Sequence, residues 1–161
     1  MNILFAASEA VPFIKTGGLG DVIGSLPKAL KNKKLNVKVV LPLYSSILNK
    51  YAEDMNYVSD ITVELSWRKL YCGIFEMEHE GVEFYFIDNQ QYFNRESAYG
   101  YDDDLERFAF FSKAVLAMLP KIGFKPDVIH AHDWHTGLLP LFLKAFYSGD
   151  SFYRGIKTVF T

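Results

Sequence analysis

The chain has 161 residues, a length that suits one α/β domain or one lobe of a larger enzyme. Its 17 basic and 19 acidic residues give a net charge of −2, which excludes an electrostatic case for binding nucleic acid or an anionic membrane. The single cysteine, Cys72, excludes an intramolecular disulfide and a cysteine-cluster metal site. Met1–Ala7 lacks the basic start of a secretory signal, and no apolar run reaches the roughly 18 residues of a membrane span. We therefore expect a cytoplasmic protein.

The start of the chain predicts a βαβ unit. Asn2–Ala7 and Val37–Pro42 are short apolar runs typical of buried strands. Between them, a helix is expected from about Asp21 to Lys34, with Pro27 kinking it or loosening its first turns. The apolar face of this helix is formed by Leu19, Val22, Ile23, Leu26 and Leu30. A strand, loop, helix and strand in this order imply two parallel strands.

The middle of the chain predicts a β-hairpin-rich insertion. Tyr57–Trp67 alternates between polar and apolar residues, and Lys69–Asp88 reads as two strands around a turn at His79–Gly81. Tyr92–Asp104 is polar and aromatic without periodicity, so it is predicted to be a surface loop.

The remainder returns to alternating helices and strands. Leu105–Leu119 carries a clear apolar stripe and predicts a helix. Val128–Ala131 predicts a buried strand, a helix is expected from Thr136 to about Tyr147, and Lys157–Thr161 predicts one more strand. The fold class is therefore α/β, with helices on both faces of a mainly parallel, Rossmann-like sheet.

Two loops with unusual chemistry follow predicted strands. Ser8–Gly20 comes after the first strand, and His132–Gly137 comes after Val128–Ala131. Ligands of open parallel sheets bind beyond the carboxyl ends of the strands, so we expect these loops to be neighbours in space. The last strand would end at the same edge with Thr161, so we expect a further part of the site to lie beyond the chain.

The first loop, Lys15-Thr16-Gly17-Gly18-Leu19-Gly20-Asp21, matches neither common phosphate signature. A P-loop needs its lysine after the glycines, and a dinucleotide fingerprint needs glycine where Ile23 stands. Glycines and a helix amino terminus still favour an anion, to which Lys15 adds a cation. The alternative is a plain tight turn in which Asp21 caps the helix.

The second loop contains His130, His132 and His135 with Asp133 and Trp134. One interpretation is a metal site, because the first two histidines would project from one face of a strand. A second is a sugar site in which the aspartate accepts hydroxyl hydrogens, His132 donates and the tryptophan packs. A third is structural: Asp133 or Thr136 caps the following helix and the histidines carry no chemistry.

Taken together, "KTGGLGDVIGSLPKAL" and "PDVIHAHDWHTGLLP" closely resemble the bacterial glycogen synthase and starch synthase family, and the resemblance covers the whole chain. It implies a two-lobed GT-B-type glycosyltransferase that moves glucose from ADP-glucose to the non-reducing end of an α-1,4-glucan with retention. No metal or other cofactor is implied. Residues 1–161 would be the acceptor-side amino-terminal lobe, inactive without a carboxyl-terminal lobe that makes most nucleotide contacts.

The resemblance also implies roles for individual residues. Lys15 and Asp133 would be catalytic, with Lys15 and Gly18 contacting the donor phosphates or the transferred glucose. Asp21 would bind sugar hydroxyls, and Tyr99 would stack on an acceptor sugar. The full set implied to bind substrate is Lys15, Thr16, Gly17, Gly18, Asp21, Tyr99, His132, Asp133 and Trp134.

Three further expectations accompany these roles. Gly20 is expected to be structural only. Retention without a protein nucleophile implies front-face attack assisted by the leaving phosphate. Two other functions stay open on the residues alone: a glucan or sugar-phosphate binding module without catalysis, and a metal-dependent hydrolase using His130, His132 and Asp133.

Overall fold

The computed structural model describes residues 1–161, whose strands form one seven-stranded sheet. The strands are β1 (Asn2–Ala6), β2 (Asn36–Pro42), β3 (Asn56–Leu65), β4 (Arg68–His79), β5 (Val82–Asp88), β6 (Val128–Ala131) and β7 (Lys157–Phe160). They lie in the order β3-β4-β5-β2-β1-β6-β7. All neighbouring pairs are parallel except those made by β4, which is antiparallel to both β3 and β5. The predicted mainly parallel sheet with a hairpin-rich insertion is confirmed.

Five α-helices connect the strands: α1 (Gly18–Lys31), α2 (Ser45–Tyr51), α3 (Gln90–Phe93), α4 (Asp104–Met118) and α5 (Leu138–Phe146). Short 3₁₀ turns cover Ala52–Asp54 and Trp134–Thr136. Helix α1 packs on β2 and β5, whereas α4 packs on α5, β3 and β5. The β1-α1-β2 and β6-α5-β7 units step across the sheet in opposite directions. Because their crossovers are right-handed, α1 and α5 lie on opposite faces of the sheet.

The reversal of direction beside β1 fixes where a site can form. The chain leaves β1 toward β2 on one side, and it leaves β6 toward β7 on the other. The loops that follow β1 and β6 therefore diverge and leave a crevice at the carboxyl edge of the sheet. Leu4, Phe5 and Ala6 of β1 are fully buried beneath this crevice, so the loops stand on a rigid base.

Helix α1 departs from its prediction. It begins at Gly18 rather than Asp21, so two of the loop glycines belong to its first turn. Pro27, which was expected to kink the helix or loosen its first turns, lies buried inside the continuous helix. Of the predicted apolar face, Ile23 is buried, Leu19, Leu26 and Leu30 pack against the core, and Val22 is 44% exposed.

Other segments need smaller corrections. Tyr92–Asp104 is not a surface loop throughout, because it overlaps α3, and Tyr92, Phe93 and Ala98 are buried. Helix α2 was not predicted. Leu105, expected on the apolar stripe of α4, is 77% exposed. The helix expected from Thr136 begins instead as a 3₁₀ turn at Trp134, and α5 follows it. None of the helices combines the length and the apolar character that a membrane span requires.

Candidate functional site

The crevice at the carboxyl edge contains the largest described cavity, with a volume of about 580 Å³. Helix α1 supplies one wall, and the loop after β6 together with the end of β7 supplies the other. The lining residues are Leu19, Val22, Leu26, His130, His132, Asp133, Trp134, Phe160 and Thr161. The structure therefore brings the two predicted loops together, as their positions after neighbouring strands required.

The buried Glu9 carboxylate holds the glycine loop through hydrogen bonds. Its carboxylate accepts hydrogen bonds from the Thr16 amide, from the Thr16 hydroxyl at 2.8 Å and from the Gly17 amide at 3.1 Å. Glu9 is 3% exposed, so these bonds are shielded from water. Thr16 and Gly17 were expected to bind substrate, and their amides donate to a carboxylate of the chain itself.

The first residues of helix α1 carry backbone amides that remain free. Gly18 and Leu19 are its first residues, and their N–H groups donate to no protein atom. A side chain at Gly18 would meet nothing within 4 Å, so the approach to these amides is open. Free N–H groups at the amino terminus of a 14-residue helix form a site of positive partial charge.

Lys15 and Asp21 form an ion pair beside these amides. The Lys15 ammonium lies 2.8 and 2.7 Å from the two carboxylate oxygens, and both side chains are more than half exposed. The pair is therefore worth little in stability and can open readily. A Cβ atom on Gly20 would lie 3.1 Å from Lys15 Cγ, so this glycine lets the lysine stem cross the helix. Asp21 does not cap α1, which corrects that alternative.

Tyr99 joins the two loops. Its hydroxyl oxygen lies 2.9 Å from Thr16 Oγ1, and its ring centroid lies 4.9 Å from that of His135. Trp134 stacks on His135 at 3.9 Å, and half of the tryptophan side chain is exposed. Phe108 packs against both rings from the core side. Two partly exposed aromatic rings are thus held at one edge of the crevice by a buried histidine.

The segment around Tyr99 is anchored by Arg107, which is completely buried. The guanidinium donates to the carbonyl oxygens of Tyr92 and Ala98 at 2.7 and 3.2 Å and to Asp104 at 2.5 Å. Asp104 in turn accepts from the Gly100 amide at 2.6 Å. This network fixes both sides of Tyr99, since buried charges are tolerated only when paired and hydrogen-bonded.

Asp133 sits in a strained backbone conformation at the tip of the second loop. Its φ is 62° and its ψ is 171°, a combination that non-glycine residues avoid. The backbone is held by a 2.7 Å bond from the Asp133 amide to the Thr161 carbonyl, and Oδ1 accepts from the Trp134 amide at 2.6 Å. The carboxylate therefore caps the 3₁₀ turn, while about half of its side chain remains exposed toward the crevice.

His130 and His132 project from the same face, as predicted, with ring centroids 3.8 Å apart. The Thr161 hydroxyl bridges them, at 3.1 Å from His130 Nε2 and 3.0 Å from His132 Nδ1. His132 Nε2 is buried without a partner. Burial and then the neighbouring His130 lower the pKa of His132 to about 4, so the ring is neutral at pH 7.

No three or more histidine, cysteine, aspartate or glutamate side chains are placed to hold a metal ion. The nearest aspartate contact to a histidine in this loop joins Asp133 Oδ2 and His135 Nδ1 at 3.9 Å. No observation therefore favours the metal-dependent hydrolase.

Sequence reasoning did not identify Glu9 or Arg107 as members of the site. A carboxylate in the apolar stretch just before a glycine loop was the available signal for Glu9. For Arg107 there was none, because an arginine on a helix is usually exposed.

The chain is similar to known proteins along its whole length. A family model described as the starch synthase catalytic domain matches residues 2–161. The glycogen synthases of Desulforamulus reducens and Clostridium kluyveri are 55% and 54% identical over 161 residues. Both alignments cover 100% of this chain and 34% of the relative, so the chain spans about a third of the length of these relatives.

The fold of the chain is also similar to a solved structure. The catalytic domain of starch synthase IV from Arabidopsis thaliana, bound to ADP and acarbose, matches with a TM-score of 0.90 and 32% sequence identity. The match covers 98% of this chain and 33% of that one.

Proposed function

Because the chain belongs to the starch synthase catalytic domain family, we propose that it forms the amino-terminal, acceptor-side lobe of a GT-B-type glycogen synthase. The complete enzyme would transfer glucose from ADP-glucose to the non-reducing end of an α-1,4-glucan with retention, in the cytoplasm. Its second lobe would supply most contacts to the nucleotide. The observation that carries the proposal is that Leu19, in the first turn of α1 with its free amides, and Trp134, of the exposed Tyr99–Trp134 pair, line the same crevice.

The helix side of the crevice suits the donor. When the bond between glucose and diphosphate breaks, negative charge develops on the leaving phosphate. The free Gly18 and Leu19 amides and the Lys15 ammonium would stabilise that charge. Lys15 is held by Asp21 in the unliganded chain, so donor binding would exchange a carboxylate for a phosphate as the partner of the ammonium. Asp21 would then be free to accept from sugar hydroxyls.

The aromatic side suits the acceptor. Tyr99 and Trp134 lie edge to face with centroids 6.3 Å apart, and both are partly exposed. Aromatic faces pack against the apolar faces of sugar rings, while nearby carboxylates accept from the hydroxyls. Asp133, in its strained conformation, and the free Nε2 of His132 are the polar groups on this side. The Arabidopsis starch synthase bound to ADP and acarbose supports a nucleotide-linked donor and a glucan-like acceptor as the substrates of the complete enzyme.

Glucosyl transfer would follow from these positions. Asp133 holds the hydroxyls of the transferred or accepting glucose, and the acceptor hydroxyl attacks the anomeric carbon on the face that the diphosphate leaves. The leaving phosphate oxygen takes the proton of the attacking hydroxyl, so no protein nucleophile is required. Lys15 acts as the catalytic cation. The 161-residue chain by itself would bind acceptor but transfer no glucose.

Titration of the chain with maltoheptaose, followed by NMR, tests the acceptor side. We expect shifts at Tyr99, Asp133 and Trp134, and we expect them to vanish in Trp134→Ala. The control is Phe146→Ala, which removes an exposed aromatic ring from α5, outside the crevice. Shifts that avoid these three residues would remove the support for an acceptor site here.

A further inference from the structure

His135 is a buried polar side chain whose nitrogens take no part in the hydrogen bonds around the crevice. The residue is 2% exposed, and neither Nδ1 nor Nε2 has a hydrogen-bond partner. Buried polar groups normally find partners, because an unpaired one costs free energy. An unpaired imidazole directly behind the crevice therefore indicates a role that begins when the crevice is occupied.

The His135 ring is held in place by aromatic neighbours. Trp134 stacks on it, with ring centroids 3.9 Å apart and ring planes at 28°. Tyr99 and Phe108 also pack against it, at 4.9 and 4.6 Å between centroids. Close packing of this kind restricts rotation of the ring, so the direction in which each nitrogen points is fixed.

Nδ1 of His135 faces the carboxylate of Asp133. The distance from Nδ1 to Oδ2 is 3.9 Å, which is about 1 Å longer than a hydrogen bond. Oδ1 of the same carboxylate accepts from the Trp134 amide at 2.6 Å, whereas Oδ2 accepts from no protein group. A small rotation of the carboxylate would bring Oδ2 to Nδ1 without breaking the bond to the amide.

The surroundings of His135 determine its charge and its tautomer. Burial lowers the pKa of His135 and outweighs the nearby charges, so the ring is neutral at pH 7. Those charges are the carboxylates of Asp133, Glu9 and Asp104, which raise the pKa, and the guanidinium of Arg107, which lowers it. A neutral ring carries one N–H, and the Asp133 carboxylate favours it at Nδ1. The unpaired Nε2 then presents a lone pair, and buried acceptors are left unpaired more readily than buried N–H groups.

We propose that His135 is a positioning residue for the acceptor: its Nδ1–H donates to Asp133 Oδ2 once a sugar occupies the crevice, and its ring holds the Trp134 indole. In the unliganded chain water competes for the carboxylate, which is about half exposed. A bound sugar excludes that water, and a hydrogen bond to a charged group strengthens in drier surroundings. The carboxylate would then be fixed from two sides, by the Trp134 amide and by His135.

This proposal rests on the proposed function and extends it, because it assigns a residue that lies behind the substrate rather than against it. NMR of the histidine rings tests it directly. In the unliganded chain we expect the ring-nitrogen shifts of a neutral His135 protonated at Nδ1. On saturation with maltoheptaose, its Hδ1 proton should move downfield and exchange more slowly with water.

The ring of His79, at the end of β4 and outside the crevice, is the internal control and should not change on titration. A His135 protonated at Nε2 in the unliganded chain would overturn the proposal. An Hδ1 signal that saturating maltoheptaose leaves unchanged would also overturn it. These ring signals belong to the parent chain, so they test the proposal even if a variant fails to fold.

Two variants separate the donor from the ring. His135→Phe keeps an aromatic face for Trp134 and removes two unpaired buried nitrogens, so its stability should not fall. We nevertheless expect it to bind maltoheptaose about three- to tenfold more weakly, because Asp133 loses its donor. His135→Asn keeps a donor near the Nδ1 position but loses the ring, so the Trp134 signals should differ in the free variant while Asp133 still shifts on binding.

The outcomes distinguish failure of this proposal from failure of the proposed function. Full maltoheptaose affinity in a folded His135→Phe chain, with the parent shifts at Tyr99 and Trp134, would overturn the positioning role alone. A parent chain in which maltoheptaose shifts none of Tyr99, Asp133 and Trp134 would overturn both proposals.

Discussion

Thr16 Oγ1 lies 2.9 Å from the hydroxyl oxygen of Tyr99, although the two residues are 83 positions apart in the chain. The same threonine hydroxyl donates to the buried Glu9 carboxylate at 2.8 Å. The Tyr99 hydroxyl therefore donates to Thr16, and one short chain of hydrogen bonds joins Glu9, the glycine loop and the aromatic edge of the crevice.

Replacing Thr16 by valine removes both bonds at nearly constant volume. We expect a loss of about 2–3 kcal/mol in the free energy of unfolding, because the neutral bond to Tyr99 contributes about 1 kcal/mol and the bond to the charged Glu9 carboxylate about 1.5 kcal/mol. Chemical denaturation measures this loss, and maltoheptaose titration should show weaker binding because Tyr99 is no longer held. Thr16→Ser keeps the hydroxyl and should restore both quantities. Equal behaviour of the valine and serine variants would show that the hydroxyl does not position Tyr99.

Glu9→Gln tests whether a charged acceptor holds the glycine loop. The glutamine has the same shape, but its neutral oxygen accepts more weakly from the Thr16 and Gly17 amides. We expect a loss of about 1–2 kcal/mol in stability, together with upfield shifts of these two amide protons. Glu53→Gln, at an exposed carboxylate on the surface, should change neither quantity. Unaltered Thr16 and Gly17 amide shifts would contradict this account of Glu9.

Arg107→Met removes the buried guanidinium that anchors the segment around Tyr99. Two backbone carbonyls and Asp104 would lose their donor, so we expect destabilisation of about 3 kcal/mol. Hydrogen exchange should accelerate at Gly100 and Tyr101, whose amides donate to Asp104. Exchange that stays slow at both amides would mean that Arg107 does not order this segment.

The site histidines should make stability depend on pH. Burial lowers the pKa of His130, His132 and His135 in the folded chain, and that of His132 to about 4. Below pH 6.5 the unfolded chain binds these protons and the folded chain resists them, so stability falls as the pH falls from about 6.5 to about 4. Thermal melts at several pH values measure this slope.

His132→Gln is the matched variant for the pH dependence. It removes the most strongly shifted histidine, so the slope of stability against pH should become shallower between pH 6.5 and pH 4. An unchanged slope would assign the dependence to other groups.

The frame of this site could be predicted from the sequence because it depends on local patterns. Apolar runs such as Val37–Pro42 identify buried strands, and strands alternating with helices place both polar loops at one edge. Contacts across the fold could not be predicted in the same way. Glu9 contacts the glycine loop and Thr161 lies between two histidines because of the tertiary packing of the loops and strands, which residue spacing alone does not reveal.

The start of α1 shows a second limit. Glycine has low helix propensity, so Gly18 and Gly20 suggested a loop that continued to Asp21. In the folded chain the Glu9 carboxylate fixes the turn before Gly18, and packing of Ile23 and Pro27 outweighs the propensity of the glycines.

The proposed transfer reaction is tested most directly by a chimaera in which this chain replaces the matching third of the Desulforamulus reducens glycogen synthase. Incorporation of glucose from labelled ADP-glucose into glycogen is the measurement. We predict transfer by the chimaera, a loss of about 10²- to 10³-fold in kcat for Lys15→Gln and for Asp133→Asn, and full transfer for Phe146→Ala. A folded chimaera that binds ADP-glucose without transferring glucose, or full transfer in both site variants, would contradict the account.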